Sequence, residues 1–199
     1  MPRLWHTAII AILLSVALAQ SWATEHREWT TLTNCQYMDG KDNDGDSFRV
    51  KCGTKEFFVR LYFVDAPETN LSYPERTREQ SEYFGVTIDE TMQAGRKARD
   101  AARDLLHKPF VIRTRRASAA GRSTEPRYYA FVEVGGKGLA ELLVSQGLAC
   151  TKGVTTNLPN GEHWKVYADR LHALESEARQ KRLGIWASAA EKISEIQTR

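Results

Sequence analysis

Residues 57–69 read Phe-Phe-Val-Arg-Leu-Tyr-Phe-Val-Asp-Ala-Pro-Glu-Thr. From Phe57 to Val64 the run is apolar on both faces except at Arg60, the pattern of a buried strand. A charge inside such a strand is costly unless it is paired or used. Arg60 therefore either pairs with Asp65 or Glu68, or serves a function. Pro67 turns the chain just beyond. Upstream, Phe48, Val50 and Cys52 alternate with Ser47, Arg49 and Lys51, the period of a half-buried strand. Residues 39–46, rich in Asp and Gly, suit a hairpin turn before it.

Downstream, residues 70–89 form a long polar segment rich in Glu, Arg and Tyr, read as a loop. Loops of that length in a compact domain are usually functional or mobile. A helix is expected over 91–107, with Ala94, Ala98, Ala101, Ala102 and Leu105 on one face. Strands are expected over 111–116 and 128–134, separated by a Gly/Ser/Pro loop, and Gly135-Gly136 turns the chain after them. A short helix over 139–146 stops at Gly147. Trp164, Tyr167, Leu171, Leu174 and Ala178 mark a last helix closed by Gly184. Strands first, with helices interspersed and last, make this an α+β chain and exclude a parallel doubly wound sheet. The strand lengths suit a small five-stranded barrel capped by helices.

The 199 residues are 42% hydrophobic and 27% charged, which excludes collagen, low-complexity polymers and intrinsically disordered chains. One domain with a real core is expected. The net charge is only +3, so a phosphate-bearing partner would be held by a few placed cations and not by a broad basic surface. Residues 1–23 carry one charge, Arg3, then an apolar run over 8–19 and small residues at Ser21 and Ala23. This reads as a secretory signal peptide, with a short membrane anchor as the alternative. Its removal near Ala23 would lower the net charge to +2. Export makes the protein secreted or periplasmic, with no membrane association after cleavage, and permits a disulfide. Cys35 and Cys52 flank the hairpin turn and suit a cross-strand bridge that leaves Cys150 over; three free thiols are the alternative. Residues 188–199 are a polar tail.

Three groups could carry chemistry. Asp44-Gly45-Asp46 opens a strand, Arg60 with Asp65 and Glu68 surrounds the Pro67 turn, and Arg127 opens another strand. Clustered carboxylates invite a hard cation such as calcium, and Asp46 and Asp65 are well placed if the two strand ends meet. An EF-hand is excluded, because Ser47 holds its sixth position and Gly53 its twelfth. The plain alternative for residues 39–46 is a solvated turn, and for Arg127 a surface arginine at a strand edge. Two arginines and a cation around a carboxylate base suit phosphodiester hydrolysis: the arginines fork onto phosphate oxygens and the carboxylate takes a proton from water.

The joint order of these pieces is more specific than any of them. Asp-Gly-Asp-Ser at 44–47 is followed by Val-Arg-Leu-Tyr-Phe-Val-Asp-Ala-Pro-Glu-Thr at 59–69. Arg-Tyr-Tyr-Ala-Phe-Val follows at 127–132, Gly-Lys-Gly-Leu-Ala-Glu-Leu-Leu-Val-Ser-Gln-Gly-Leu-Ala at 136–149, and Leu-Gly-Ile-Trp at 183–186. Over residues 33–187 the chain resembles the staphylococcal nuclease (thermonuclease) family. The resemblance implies an OB-fold barrel with about three helices, and a calcium-dependent phosphodiesterase that cuts DNA and RNA and leaves 3′-phosphates. It implies Asp46 and Asp65 as calcium carboxylates, the Ala66 carbonyl as a third ligand, Glu68 as general base or water-orienting group, and Arg60 and Arg127 as phosphate-binding arginines. The departures lie in the substrate pocket. Thr124 and Glu125 stand where the family prototype has a Lys-Tyr pair, and Gly153 and Thr155 where it has tyrosines. Within the longer 70–89 segment, Tyr73, Arg76, Arg78 and Tyr83 either supply stacking and phosphate contacts or sit in a solvated loop.

The expected protein is thus an exported, calcium-dependent, monomeric nuclease acting on nucleic acid. Two other classes compete with it: a non-catalytic OB-fold nucleic-acid-binding module, and an envelope domain whose acidic turn binds calcium for stability.

Overall fold

The computed structural model describes residues 28–119 and 125–188. Residues 1–27, which hold the expected signal peptide, residues 120–124, which include Thr124, and tail residues 189–199 lie outside the described residues. The chain runs β1 (Thr30–Met38), β2 (Ser47–Cys52), β3 (Lys55–Leu61), β4 (Val64–Asp65), α1 (Pro74–Phe84), α2 (Ile88–Leu105), β5 (Phe110–Ser118), β6 (Arg127–Val134), β7 (Lys137–Gly138), α3 (Leu139–Ser145), β8 (Cys150–Thr151) and α4 (Trp164–Gln180).

The main sheet has the order β3-β2-β1-β5-β6-β7, and β6 also pairs with β3. That extra pairing is parallel, with Phe58 opposite Arg127 and Arg60 opposite Tyr129. The five strands β1, β2, β3, β6 and β5 therefore form a closed ring, consistent with an OB-fold barrel. β1 serves two neighbours. Its end pairs with β2 (Met38 opposite Arg49) and its start with β5 (Thr30 opposite Thr114), with a register shift between Leu32 and Cys35 where the strand bends. Phe48, Val50, Val59, Leu61, Ile112, Ala130 and Val132 fill the interior, and Ala98, Ala102, Leu139, Leu143 and Leu171 close over it from the helices. Cys35 and Cys52 form a disulfide between β1 and β2, and Cys150 is a buried free thiol.

The largest departure from expectation lies in residues 70–89. They are not one loop: α1 occupies Pro74–Phe84, so four helices stand among the described residues where about three were expected. Pro74 starts α1 at its first position and Gly85 ends it in the left-handed region. Its buried face is Thr77, Gln80, Ser81 and Phe84. The spacing is helical but the residues are mostly polar, so no hydrophobic period marks the helix. α2 begins at Ile88, earlier than the apolar face alone suggests. Thr87 and Glu90 form a capping box that draws the helix back by a turn. A second apolar cluster, with Phe84, Val86, Ala178, Ile185 and Trp186, packs α1 against the C-terminal region.

Candidate active site

Strand pairing brings the acidic turn to Arg60. Ser47 lies opposite Arg60 in the β2–β3 ladder, and the Leu61 N–H donates to the Asp46 carbonyl at 2.8 Å. One step on, β4 pairs with β8, with Asp65 opposite Cys150. α2 then presses on both acidic segments through its small residues. A Cβ on Gly95 would lie 2.3 Å from the Glu68 carbonyl oxygen. A Cβ on Gly45 would lie 2.7 Å from that of Ala98 and 2.8 Å from that of Ala66. Glycine at both places lets the Asp44–Asp46 turn, the Ala66–Glu68 turn and the helix share one small volume.

Arg60 bridges the acids, with Nη1 3.1 Å from Asp46 Oδ1 and Nη2 2.8 Å from Asp65 Oδ1. The other Asp46 oxygen accepts from the Ala66 N–H at 2.6 Å. Asp44 accepts from the N–H groups of Asp46 (3.0 Å) and Ser47 (2.6 Å), which fixes the turn. Burial raises the pKa of the Asp44 carboxyl well above the usual range, and the Asp46 charge adds to this. Burial raises that of Asp46 too, against the pull of Arg60. Burial also raises that of Glu68, with Arg76 opposing. For Arg60, burial favours proton loss, but Asp46, Asp44 and Asp65 outweigh it and hold the guanidinium charged.

Of the residues singled out from sequence, Arg60, Asp65, Glu68 and Arg127 line one cleft of about 730 Å³. Asp46 and Ala66 are buried and join it through Arg60 and the Asp46–Ala66 hydrogen bond. Arg127 differs from Arg60: its Nε is buried without a hydrogen-bond partner, and among the described residues it has no acidic partner. Its guanidinium lies 5.7 Å from the centre of the Phe58 ring, within cation–π range. Lys41 and Lys152 stand at the rim. Of the departures from the family pattern, Glu125 pairs with Arg49, Gly153 lines the cleft, and Thr155 is exposed.

Helix α1 supplies Gln80, which pattern reading missed, and gives Arg76, expected to meet phosphate or solvent, two carboxylate partners instead. Gln80 donates to Asp65 Oδ2 and to the Ala66 carbonyl, each at 3.0 Å, and accepts from the Glu68 N–H at 2.7 Å. One amide thus ties together three residues of the turn. Arg76, one turn earlier, reaches Asp65 through Nη2 and Glu68 through Nε. Of the other residues named in this segment, Tyr73 lines the cleft, Arg78 is exposed, and Tyr83 points away to Glu175. Arg76 and Gln80 are four residues apart after a helix-starting proline, the one signal that could have placed them on a common face.

The donor chemistry suits a hard divalent cation. Asp46, Asp65 and the Ala66 carbonyl offer only oxygen. Four carboxylates (Asp44, Asp46, Asp65, Glu68) meet two pairing arginines, so the cluster holds more acids than arginines. Among the described residues no three His, Cys, Asp or Glu side chains converge to hold an ion by themselves. A cation here would complete its shell with water.

A small closed barrel carries an arginine–carboxylate cleft on one side. A family model described as Staphylococcal nuclease homologue matches residues 58–188, and the chain belongs to that family. Together with the barrel and cleft, the family match makes the chain a nuclease-like or nucleic-acid-binding module. The match includes Arg60, Asp65, Glu68, Arg127 and the whole of α1, and begins after Asp46. No curated protein matches the chain.

Proposed function

We propose that the protein is an exported, calcium-dependent nuclease that hydrolyses phosphodiester bonds of DNA or RNA. The observation that carries this reading is that Arg60, Asp65, Glu68 and Arg127 line one cleft, with buried Asp46 bonded to Arg60. In this reading Asp46, Asp65 and the Ala66 carbonyl hold calcium, which when bound neutralises phosphate charge and orients water. Arg127 and Arg60 fork onto the non-bridging phosphate oxygens and stabilise the charge that grows on them. Glu68 takes the proton of the attacking water, and its raised pKa makes it a better base near neutrality. The P–O bond to the 5′-oxygen breaks, that oxygen leaves with a proton, and a 3′-phosphate remains. Export is supported by the apolar segment at 8–19 and by the Cys35–Cys52 disulfide, which suits an oxidising compartment. The functional domain is taken as residues 33–187, acting as a monomer.

The test is digestion of plasmid DNA and of RNA by purified protein with calcium, with magnesium and with EDTA, repeated on Glu68→Gln. Calcium-dependent cleavage that falls by roughly a hundredfold or more in the variant is expected. Binding in a gel shift without cleavage under any metal condition would replace this reading with the non-catalytic module.

A further inference from the structure

We propose that Arg76 acts as a built-in surrogate for the divalent cation, occupying Asp65 and Glu68 until the ion displaces it, and so sets the protein's calcium affinity. This rests on the calcium reading above.

The argument begins with Asp65. Its Oδ2 is taken by Gln80, and its Oδ1 accepts from both Arg60 and Arg76. Both acceptor sites of Oδ1 are thus held by guanidinium groups, and a cation binding through that oxygen must displace one of them, while one binding through Oδ2 meets Gln80 beside it. Gln80 is buried and held at both ends of its amide, since its oxygen also accepts from the Glu68 N–H. Arg60 is anchored in β3, bonded to two acids, and its side chain is 17% exposed. The Arg76 side chain is 38% exposed and rises from the first turn of α1 at the cleft wall. It is the group with room to leave.

Arg76 also spans two roles. The same guanidinium that reaches Asp65 holds Glu68 through Nε. In that position Glu68 is neutralised and its oxygen Oε1 is occupied. Departure of Arg76 therefore frees Glu68, the carboxylate proposed as base, and opens one position on Oδ1 of Asp65, a carboxylate proposed as ligand. A positive charge at this distance opposes a second cation strongly in a partly buried site, and a competitor occupying the site lowers apparent affinity by the fraction of molecules it blocks.

The test is calorimetric titration of calcium into metal-free wild type, Arg76→Met and Arg76→Lys. Arg76→Met is expected to bind calcium about tenfold more tightly than wild type. Arg76→Lys, which keeps the charge but not the two-acid fork, is expected to fall between them. An arginine that merely braces the turn predicts the opposite sign, because its loss would loosen Asp65 and weaken binding. Wild-type binding with equal or weaker binding in Arg76→Met overturns the surrogate role and leaves the calcium site standing. Should Arg76→Met fail to fold without metal, equal or weaker binding by Arg76→Lys decides against the proposal in the same way. Absence of calcium binding to wild type overturns the calcium reading, and the surrogate role with it.

Discussion

Arg60 and Arg127 have the same proposed task, yet their surroundings differ. Arg60 is bonded to two buried carboxylates, whereas Arg127 has no acidic partner among the described residues and rests against Phe58. Removing one partner of a buried ion pair costs about 3–5 kcal/mol, because the remaining charges stay buried. Arg60→Ala should therefore lower the melting temperature in EDTA by about 6 °C or more, given about 2–4 °C per kcal/mol for a chain of this size. Arg127→Ala gives up a cation–π contact of about 1 kcal/mol, so its melting temperature should stay within about 4 °C of wild type, while its turnover falls by roughly a hundredfold. Thermal melts and initial rates on the two variants check the contrast. Equal melting temperatures would mean that Arg60 does not neutralise the acid cluster.

Helix α1 shows what a single sequence discloses about elements and what it hides. The strand around Arg60 and the helix of Ala94, Ala98 and Ala102 stand out because their buried faces are apolar and periodic. α1 buries Thr77, Gln80 and Ser81, so its period is carried by polar residues: Thr77 and Ser81 bond to nearby backbone, and Gln80 reaches the Asp65–Glu68 turn. Gln80 reads as a helix-surface residue until the turn it grips is known. The Asp65, Glu68 and Arg127 positions were legible because the turn and strand ends that present them have strong local signals. The groups that orient them come from an element with none. Tyr83 illustrates the same point: it resembles a cleft residue in sequence, but its hydroxyl donates to buried Glu175 of α4 at 2.7 Å. Burial and that carboxylate raise the pKa of the Tyr83 phenol. A group whose pKa is raised by folding stabilises the fold while protonated, so this contribution holds below the ordinary phenol value and is lost as pH climbs beyond it. Tyr83→Phe should lower stability by about 1 kcal/mol at pH 8. The gap between wild type and variant should close as pH rises past about 10. Melts of both proteins at pH 8 and pH 10.5 give the readout, and a gap that widens with pH contradicts the assignment.

At the scale of the molecule, a near-neutral chain concentrates its useful charge. Lys41, Arg60, Arg76, Arg127 and Lys152 line one cleft together with five acids, Asp42, Asp44, Asp65, Glu68 and Glu125, so the site gathers charge of both signs in a chain that carries only +3. β3 closes onto β6 beside that cleft, and β1 and β2 flank the long acidic turn. The Cys35–Cys52 disulfide joins those two strands with a sequence separation of 17, and the loop it closes contains Asp44 and Asp46. A bridge over a loop of that size stabilises by about 3 kcal/mol, chiefly by restricting the unfolded chain. Double replacement of Cys35 and Cys52 by Ala should therefore lower the melting temperature by about 6–12 °C. A thiol count gives an independent check. Cys150 is buried, and burial raises its pKa, which suppresses the reactive thiolate. Unreduced native protein should thus give no fast reaction with a thiol reagent, one thiol in denaturant, and three after reduction. Three thiols in denaturant without reductant would mean that no bridge closes the loop around the acidic turn, and the double variant should then melt with wild type.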